Sequence, residues 1–186
     1  EIAEKNLKVF QEHGVGKIIT NCPACALVFK KDYAEILGNK WNIEVLHITE
    51  VIKSKSQSFT RHVVRETTVS SDVTRKKVTY HDPCHLGREL GIYEQPRKII
   101  CSQGFELKEM ELCRNKSYCC GGGGGVKSNF SELSNSIAKD RTNQAKATGA
   151  EILVTPCPMC FVNLKENGGD MEVKELSEIL ENESRI

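Results

Sequence analysis

Apolar positions along the chain alternate between two spacings, and the spacings predict helices and strands in turn. Ile2, Ala3, Leu7 and Phe10 fall close to one face of a helix over 1–13, and Gly14 supplies its stop. Val15 to Thr20 is a short apolar run rich in β-branched residues, a buried strand that ends at Asn21-Cys22-Pro23-Ala24-Cys25. A helix over 26–37, a strand over 41–47 and a helical turn over 48–53 follow. Residues 54–77 change character, being rich in Ser, Thr, Lys and Arg, and read as a linker or as a solvated arm of the next unit. Val78 to His81 is a strand stopped by Asp82-Pro83, with Cys84 just beyond it. Pro96 opens a helix to about Ser102, and Phe105 to Met110 reads as a strand. After Cys119-Cys120 and five glycines, a long helix runs from Ser128 or Ser131 to Ala147. A strand over 150–155 then leads to Pro156-Cys157-Pro158-Met159-Cys160. A helix, a short strand over 171–173 and a last helix from Ser177 complete the pattern.

Part of this pattern occurs twice. Ile18-Ile19-Thr20-Asn21-Cys22-Pro23-Ala24-Cys25 returns 135 residues later as Leu153-Val154-Thr155-Pro156-Cys157-Pro158-Met159-Cys160, and the same offset carries Gly14 onto Gly149. Residues 45–52 resemble 173–180 at a slightly different offset. Short apolar strands alternating with helices argue for parallel sheets. The expected fold is therefore α/β, with tandem Rossmann-like units on short parallel sheets and the first unit truncated. The expected division is 1–60 for the tail of a first repeat, 61–75 for a linker and 76–186 for a complete second repeat. The chain opens inside a helical pattern at Glu1 rather than at Met, as expected of a piece of a longer protein.

The 186 residues suffice for one domain or two small ones, and 39% hydrophobic with 27% charged residues reads as globular. A net charge of +1 and 6% aromatic residues give no electrostatic or stacking case for nucleic acid. No apolar run approaches the ~20 residues of a membrane span, and the expected location is cytoplasmic, or at the membrane through a partner subunit.

Nine cysteines set the chemistry. An odd count in C-x-x-C and C-C arrangements suits metal sites better than a disulfide framework. Cys84, then 34 residues, Cys119-Cys120, then 36 residues, and Cys157-x-x-Cys160 supply five thiols from three loops. In open α/β sheets, ligands gather beyond the carboxyl ends of the strands, where these loops fall. Adjacent side chains on extended backbone point apart, so Cys119 and Cys120 serve a single ion poorly and a cluster of several irons well. Structural zinc takes four ligands in a tetrahedron, whereas iron–sulfur clusters are held by thiolates and accommodate more. The rival reading is a zinc module built from Cys22, Cys25, Cys157 and Cys160, which leaves Cys119 and Cys120 unused.

The array Cys84…Cys119-Cys120-Gly121…Cys157-Pro158-Met159-Cys160, with His81-Asp82-Pro83-Cys84-His85-Leu86-Gly87-Arg88 and the glycine run, resembles the cysteine-rich CCG domain. That domain occurs in catalytic subunits of heterodisulfide reductase, of which the D-type and B-type are the nearest likeness. It also occurs in iron–sulfur subunits of glycolate, lactate and glycerol-3-phosphate oxidation systems. The resemblance implies a noncubane [4Fe-4S] cluster on Cys84, Cys119, Cys120, Cys157 and Cys160, lost or replaced by zinc in air. It implies reduction of a small disulfide, or electron relay alone. It also implies partner subunits that bring electrons through iron–sulfur, flavin or cytochrome groups, since no flavin or nicotinamide fingerprint is present. Cys22 and Cys25 read as half of a second site, completed by a Cys…Cys-Cys-Gly segment upstream.

Other signals are weaker. His85, next to Cys84, is a candidate catalytic proton donor. His81 at a strand end reads as structural, and His47 and His62 receive no role. Cys101 reads as a packed small hydrophobe. Gly121 to Ser128 misses the phosphate-loop pattern because Val126 stands where its second glycine belongs.

Overall fold

The computed structural model describes residues 1–52 and 75–180. The expected linker over 61–75 therefore lies almost wholly outside the described residues, as does His62. Among the described residues all six strands are parallel to their neighbours, in two sheets.

The first sheet joins β1 (Lys17–Thr20) to β2 (Glu44–His47). Helix α1 (Ile2–Glu12) precedes it, and α2 (Pro23–Leu27), a π-helical turn (Val28–Asp32) and α3 (Tyr33–Leu37) form the crossover. The extra residue per turn in the π segment shifts Tyr33 and Leu37 onto the buried side. There they join Ala3, Leu7 and Ile43, and Phe29, Tyr33 and Trp41 pack with ring centroids 4.9 to 6.1 Å apart.

The second sheet has the order β4-β3-β5-β6. It comprises β3 (Lys77–Tyr80), β4 (Glu106–Lys108), β5 (Ile152–Thr155) and β6 (Glu172–Glu175). Helix α4 (Glu94–Ser102) connects β3 to β4. The short α5 (Val126–Asn129) and the long α6 (Ser131–Lys146) lead to β5, and α7 (Pro158–Asn167) connects β5 to β6. Both faces of the sheet are covered. Leu153 and Val173 face Ala138, Ala145 and Leu164. Val78, Tyr80, Ile152 and Val154 face Ile99, Ile100, Leu176 and Ile179. Two-sided burial explains why β5 reads as an unbroken apolar run.

The repeat is reproduced down to register. Ile18 pairs with Val45 and Thr20 with His47, as Leu153 pairs with Val173 and Thr155 with Glu175. The second strand of each pair is followed by the same device: the His47 N–H donates to Glu50 at 2.8 Å, and the Glu175 N–H donates to Glu178 at 2.6 Å. The difference lies at the other edge. Val154 is fully buried because β3 pairs with β5, whereas Ile19, its counterpart, is 52% exposed. One expectation needs correction. Cys101 is exposed rather than packed, because α4 turns Ile99 and Ile100 to the core. The expected last helix begins as a short tight helix (Leu176–Ile179), and residues 181–186 lie outside the described residues.

Candidate metal centre

The strand order of the second sheet reverses between β3 and β5, and the crevice beyond such a reversal is where open α/β sheets take ligands. Cys84 follows β3, and Cys157 follows β5. The His81 N–H donates to the Val154 carbonyl at 2.9 Å and keeps the two strands together to their ends.

The third contribution, Cys119-Cys120-Gly121-Gly122, is laid against α6 and α7. Gly121 has φ +78°, and a Cβ there would stand 2.8 Å from the Ser134 carbonyl oxygen and 3.0 Å from Ile137 Cβ. At Gly122 a Cβ would meet Met159 and Asn163 at 3.1 and 3.2 Å. Close approach and conformation together require glycine at the first, whereas at the second a side chain would need Met159 and Asn163 to give way by a few tenths of an ångström. Asn163, buried on α7, donates to the Cys120 carbonyl at 2.7 Å, and Ser134 donates to the Gly121 carbonyl at 2.8 Å. Lys127 bridges Asn163 at 2.8 Å and Glu166 at 2.5 Å.

The five thiols meet in a chain of sulfur contacts that runs Cys84, Cys119, Cys120, Cys160, Cys157. Cys119 is its anionic member: thiol hydrogen bonds from Cys120 and Cys84, then the Gly121 N–H at 3.3 Å, hold its pKa far below the thiol range. The same contacts push its neighbours the other way. The Cys119 contact pushes Cys120 up to about 12 and also raises Cys84, and Cys120 raises Cys160. Cys157 is drawn down to about 7 by Cys160 and by backbone N–H groups at the start of α7. Thiols that shift one another this strongly are charge-frustrated: ionising several of them together costs energy unless a cation arrives to neutralise them.

Arginines support the walls. Asp82 and Arg97 are both nearly fully buried and pair through two bonds of 2.8 and 2.9 Å. Arg97 also reaches Glu109 at 2.6 Å and stacks over the Tyr80 ring, with 4.8 Å to the centroid. Asp82 accepts the Arg114 N–H at 2.8 Å, and Arg88 caps the Ser117 carbonyl at 2.9 Å. The turn before Cys84 is thus tied to the segment leading into Cys119.

Two histidines prove more central than sequence reasoning suggests. His81 is fully buried, and a ring nitrogen and the Cys120 and Cys160 sulfurs all lie within 4.8 Å of one another. Burial, then the Arg141 charge, lowers its pKa to about 3. His47 is also fully buried, with Nε2 on the Asn21 carbonyl at 3.2 Å and a second hydrogen bond from the ring to the Pro156 backbone. It thus ties the residues that precede Cys22 and Cys157. A lone histidine at a strand end carries no such signal in sequence. Only its alignment with Glu175 in the repeat marks His47 as special. His85 is half-buried in a π-helical turn (His85–Glu89) directly after Cys84 and meets the sulfur array through its backbone N–H.

Cys22 and Cys25 come to the same place from the first unit. Helix α2 packs on the 85–89 turn, Asn21 donates to Glu175 at 3.2 Å, and Cys25 feels the charge of Cys157. The Cys25 N–H donates to Cys22 Sγ at 3.4 Å, and the Cys22 thiol pushes the Cys25 pKa up to about 11. Beside them, Ala24, Cys25, Val28, Phe29 and Tyr33 line a shallow apolar pocket. The remaining two thiols stand apart: Cys113 contacts Arg114 at 3.6 Å, and Cys101 is at the surface.

A parallel α/β sheet with a cluster of thiols at its switch point defines a class of metal- or redox-active cysteine proteins. Comparison with known proteins gives the family: the model of the cysteine-rich CCG domain matches residues 1–30 and 78–165, and the chain belongs to that family. It is 34% identical over 182 residues to a subunit of the dihydromethanophenazine:CoB–CoM heterodisulfide reductase of Methanosarcina acetivorans, covering 95% of this chain and 42% of that protein. It is 33% identical to a subunit of the fumarate reductase (CoM/CoB) of Methanothermobacter marburgensis, covering 97% of this chain and 35% of the relative. It is 34% identical to the probable iron–sulfur-binding oxidoreductase FadF of Bacillus subtilis, covering 94% and 24%. The chain thus spans less than half the length of these relatives, which are named as oxidoreductases or their subunits. No helix among the described residues is long and apolar enough to cross a membrane.

Proposed function

We propose that the chain is part of an iron–sulfur redox subunit that binds a noncubane [4Fe-4S] cluster through Cys84, Cys119, Cys120, Cys157 and Cys160. The observation that carries this reading is the continuous sulfur array, five thiols from three loops with both members of the Cys119-Cys120 pair in it. The buried His81 Nε2, without a partner among the described residues, and the backbone N–H groups of Gly121 and Gly122 on cysteine sulfurs, at 3.3 and 3.4 Å, fit a sulfur-rich group. When bound, such a cluster supplies electrons and an electrophilic iron for sulfur.

The reaction we assign is cleavage of a small disulfide, in which two electrons and two protons convert one S–S bond to two thiols. Electrons come from a partner subunit or domain bearing an iron–sulfur, flavin or cytochrome group. To His85, half-buried beside Cys84, we assign the proton that a departing thiolate needs. Electron relay within a glycolate, lactate or glycerol-3-phosphate oxidation complex uses the same ligands and dispenses with that proton. The domain division at residues 60 and 76 remains part of this reading, as does a cytoplasmic place, with any membrane contact made through a partner.

Cys22 and Cys25 we assign to a second site. Their helix repeats α7: Ala24, Cys25 and Val28 correspond to Met159, Cys160 and Asn163, the residues on which the Cys120–Gly122 loop rests. The shallow apolar pocket is thus the seat for a like loop, and the Cys…Cys-Cys-Gly segment expected upstream would supply it.

Anaerobic purification with iron, acid-labile sulfide and zinc analysis tests the assignment. Brown protein with iron and sulfide that vanish in Cys120→Ser supports it. Colourless protein holding one zinc, retained in Cys120→Ser and lost in Cys25→Ser, supports the zinc module instead.

A further inference from the structure

The fate of the His81 ring is decided by the residue behind it. Arg141 lies on α6, fully buried, and its Nε–H points at His81 Nδ1 from 3.0 Å. A guanidinium has donors and no acceptor, so Nδ1 must offer its lone pair. A neutral imidazole then carries its proton on Nε2. A ring nitrogen of His81 lies within 4.8 Å of the Cys120 and Cys160 sulfurs, and with Nδ1 taken by Arg141, Nε2 is the nitrogen left to serve them, buried and with no hydrogen-bond partner among the described residues.

We propose that His81 is an N–H donor to sulfur of the group held at Cys120 and Cys160, and not a metal ligand, with Arg141 fixing its tautomer. This role rests on the iron–sulfur reading above. Metal binding through Nε2 would move the proton to Nδ1, where it would face the Arg141 N–H in a buried space. Arg141 is not free to turn away. Its Nη1 is held by the Leu112 carbonyl at 2.9 Å and by Gln144 at 2.7 Å, and its Nη2 by Ser117 Oγ at 3.0 Å. The ring is pinned from its own backbone as well, through the bond to Val154. Arg141 is thus a positioning residue for a donor that touches the cofactor. Hydrogen bonds to sulfur set the potential of iron–sulfur groups. They stabilise the more negative, reduced state, so His81 raises the midpoint potential.

The test uses the full-length protein, reconstituted anaerobically as wild type, His81→Leu and His81→Gln. Leucine fills the space with no polar atom, while glutamine offers an acceptor to Arg141 and an N–H toward sulfur. Iron per chain is measured first, then the midpoint by redox titration, then pulsed EPR with ¹⁵N-histidine and solvent deuteration. The expected result is equal iron in all three, a midpoint shifted negative in His81→Leu and restored toward wild type in His81→Gln. The wild type should show weak histidine nitrogen coupling and an exchangeable-proton coupling that is missing in His81→Leu. A strong nitrogen coupling of metal-bound imidazole, or a wild-type midpoint in an iron-replete His81→Leu, overturns the role. Should His81→Leu fail to hold iron, His81→Gln decides: full iron with a wild-type midpoint upholds the donor, and iron deficiency marks a ligand and overturns it. Wild-type protein that takes up no iron refutes the iron–sulfur reading itself, and this role with it.

Discussion

Three glycines of one loop should respond to alanine in three different ways. At Gly121 the new Cβ meets the Ser134 carbonyl oxygen at 2.8 Å and Ile137 Cβ at 3.0 Å, and φ is +78°. Left-handed backbone costs a non-glycine residue about 1–2 kcal/mol. The overlap is with backbone of α6, which cannot recede without stretching the Ser134–Gly121 bond, and overpacking of that kind adds about 1–3 kcal/mol. Gly121→Ala should therefore lose about 2–5 kcal/mol. Gly124 has φ +62° but open space around its Cβ, so its alanine variant should lose only the backbone contribution, about 1–2 kcal/mol. Gly123 has open space and no positive φ, and alanine there should be neutral or stabilise by up to about 1 kcal/mol through the unfolded state. Urea unfolding of the reduced, metal-free protein resolves these differences, since a slope of about 2 kcal/mol per molar turns the largest into a midpoint shift above ~1 M. Equal midpoints for the Gly121 and Gly124 variants would refute the claim that close approach to α6 demands glycine.

Further consequences can be measured the same way. Arg97→Met leaves the Asp82 carboxylate buried with the Arg114 N–H but without its guanidinium, and should cost about 3–5 kcal/mol; a loss below about 1 kcal/mol would show that water reaches Asp82. His47 has its pKa lowered by burial, so below about pH 6.5 the unfolded chain binds a proton that the folded chain refuses. Stability attributable to it is present above about pH 6.5 and falls with pH below, by at most ~1.4 kcal/mol per unit. His47→Gln should unfold at lower urea at about pH 7.5 yet lose less between about pH 7 and 5.5, and an unchanged acid loss would exclude His47 as its source. Cys119, anionic through its thiol neighbours, should react with iodoacetamide at nearly the same rate from about pH 6 to 8, where an ordinary thiol gains roughly tenfold per unit; an ordinary profile at Cys119 would undo the assignment of the negative charge.

The strands and the thiol array are legible in the sequence because each has a local signature. β5 is four apolar or β-branched residues bounded by Glu151 and Pro156, and Cys157-Pro158-x-Cys160 states both a helix start and a pair of thiols. The parallel register is legible only through the repeat, since nothing local distinguishes Ile18 opposite Val45 from a neighbouring alignment. The π segments at 28–32 and 85–89 are not legible: their helical spacing is interrupted to satisfy tertiary packing. Cys101 misleads for the converse reason, being a small apolar residue on a helix whose buried stripe ends one position earlier. His81, His47 and Arg141 act through partners 60, 26 and 60 positions away. Such pairings exist only after folding, and no spacing in the chain encodes them.

The difference between Ile19 and Val154 bears on how this chain behaves at high concentration. Among the described residues β1 has a strand on one side only, so no strand there pairs with the N–H and C=O groups of its other edge. An edge flanked by a half-exposed isoleucine, with one lysine to discourage approach, is a template for any extended segment of like pattern. A strand edge of this kind offers a route to association that the small net charge of the chain does little to oppose. A second lysine at Ile19 would act on sheet-to-sheet association while leaving the thiol array untouched.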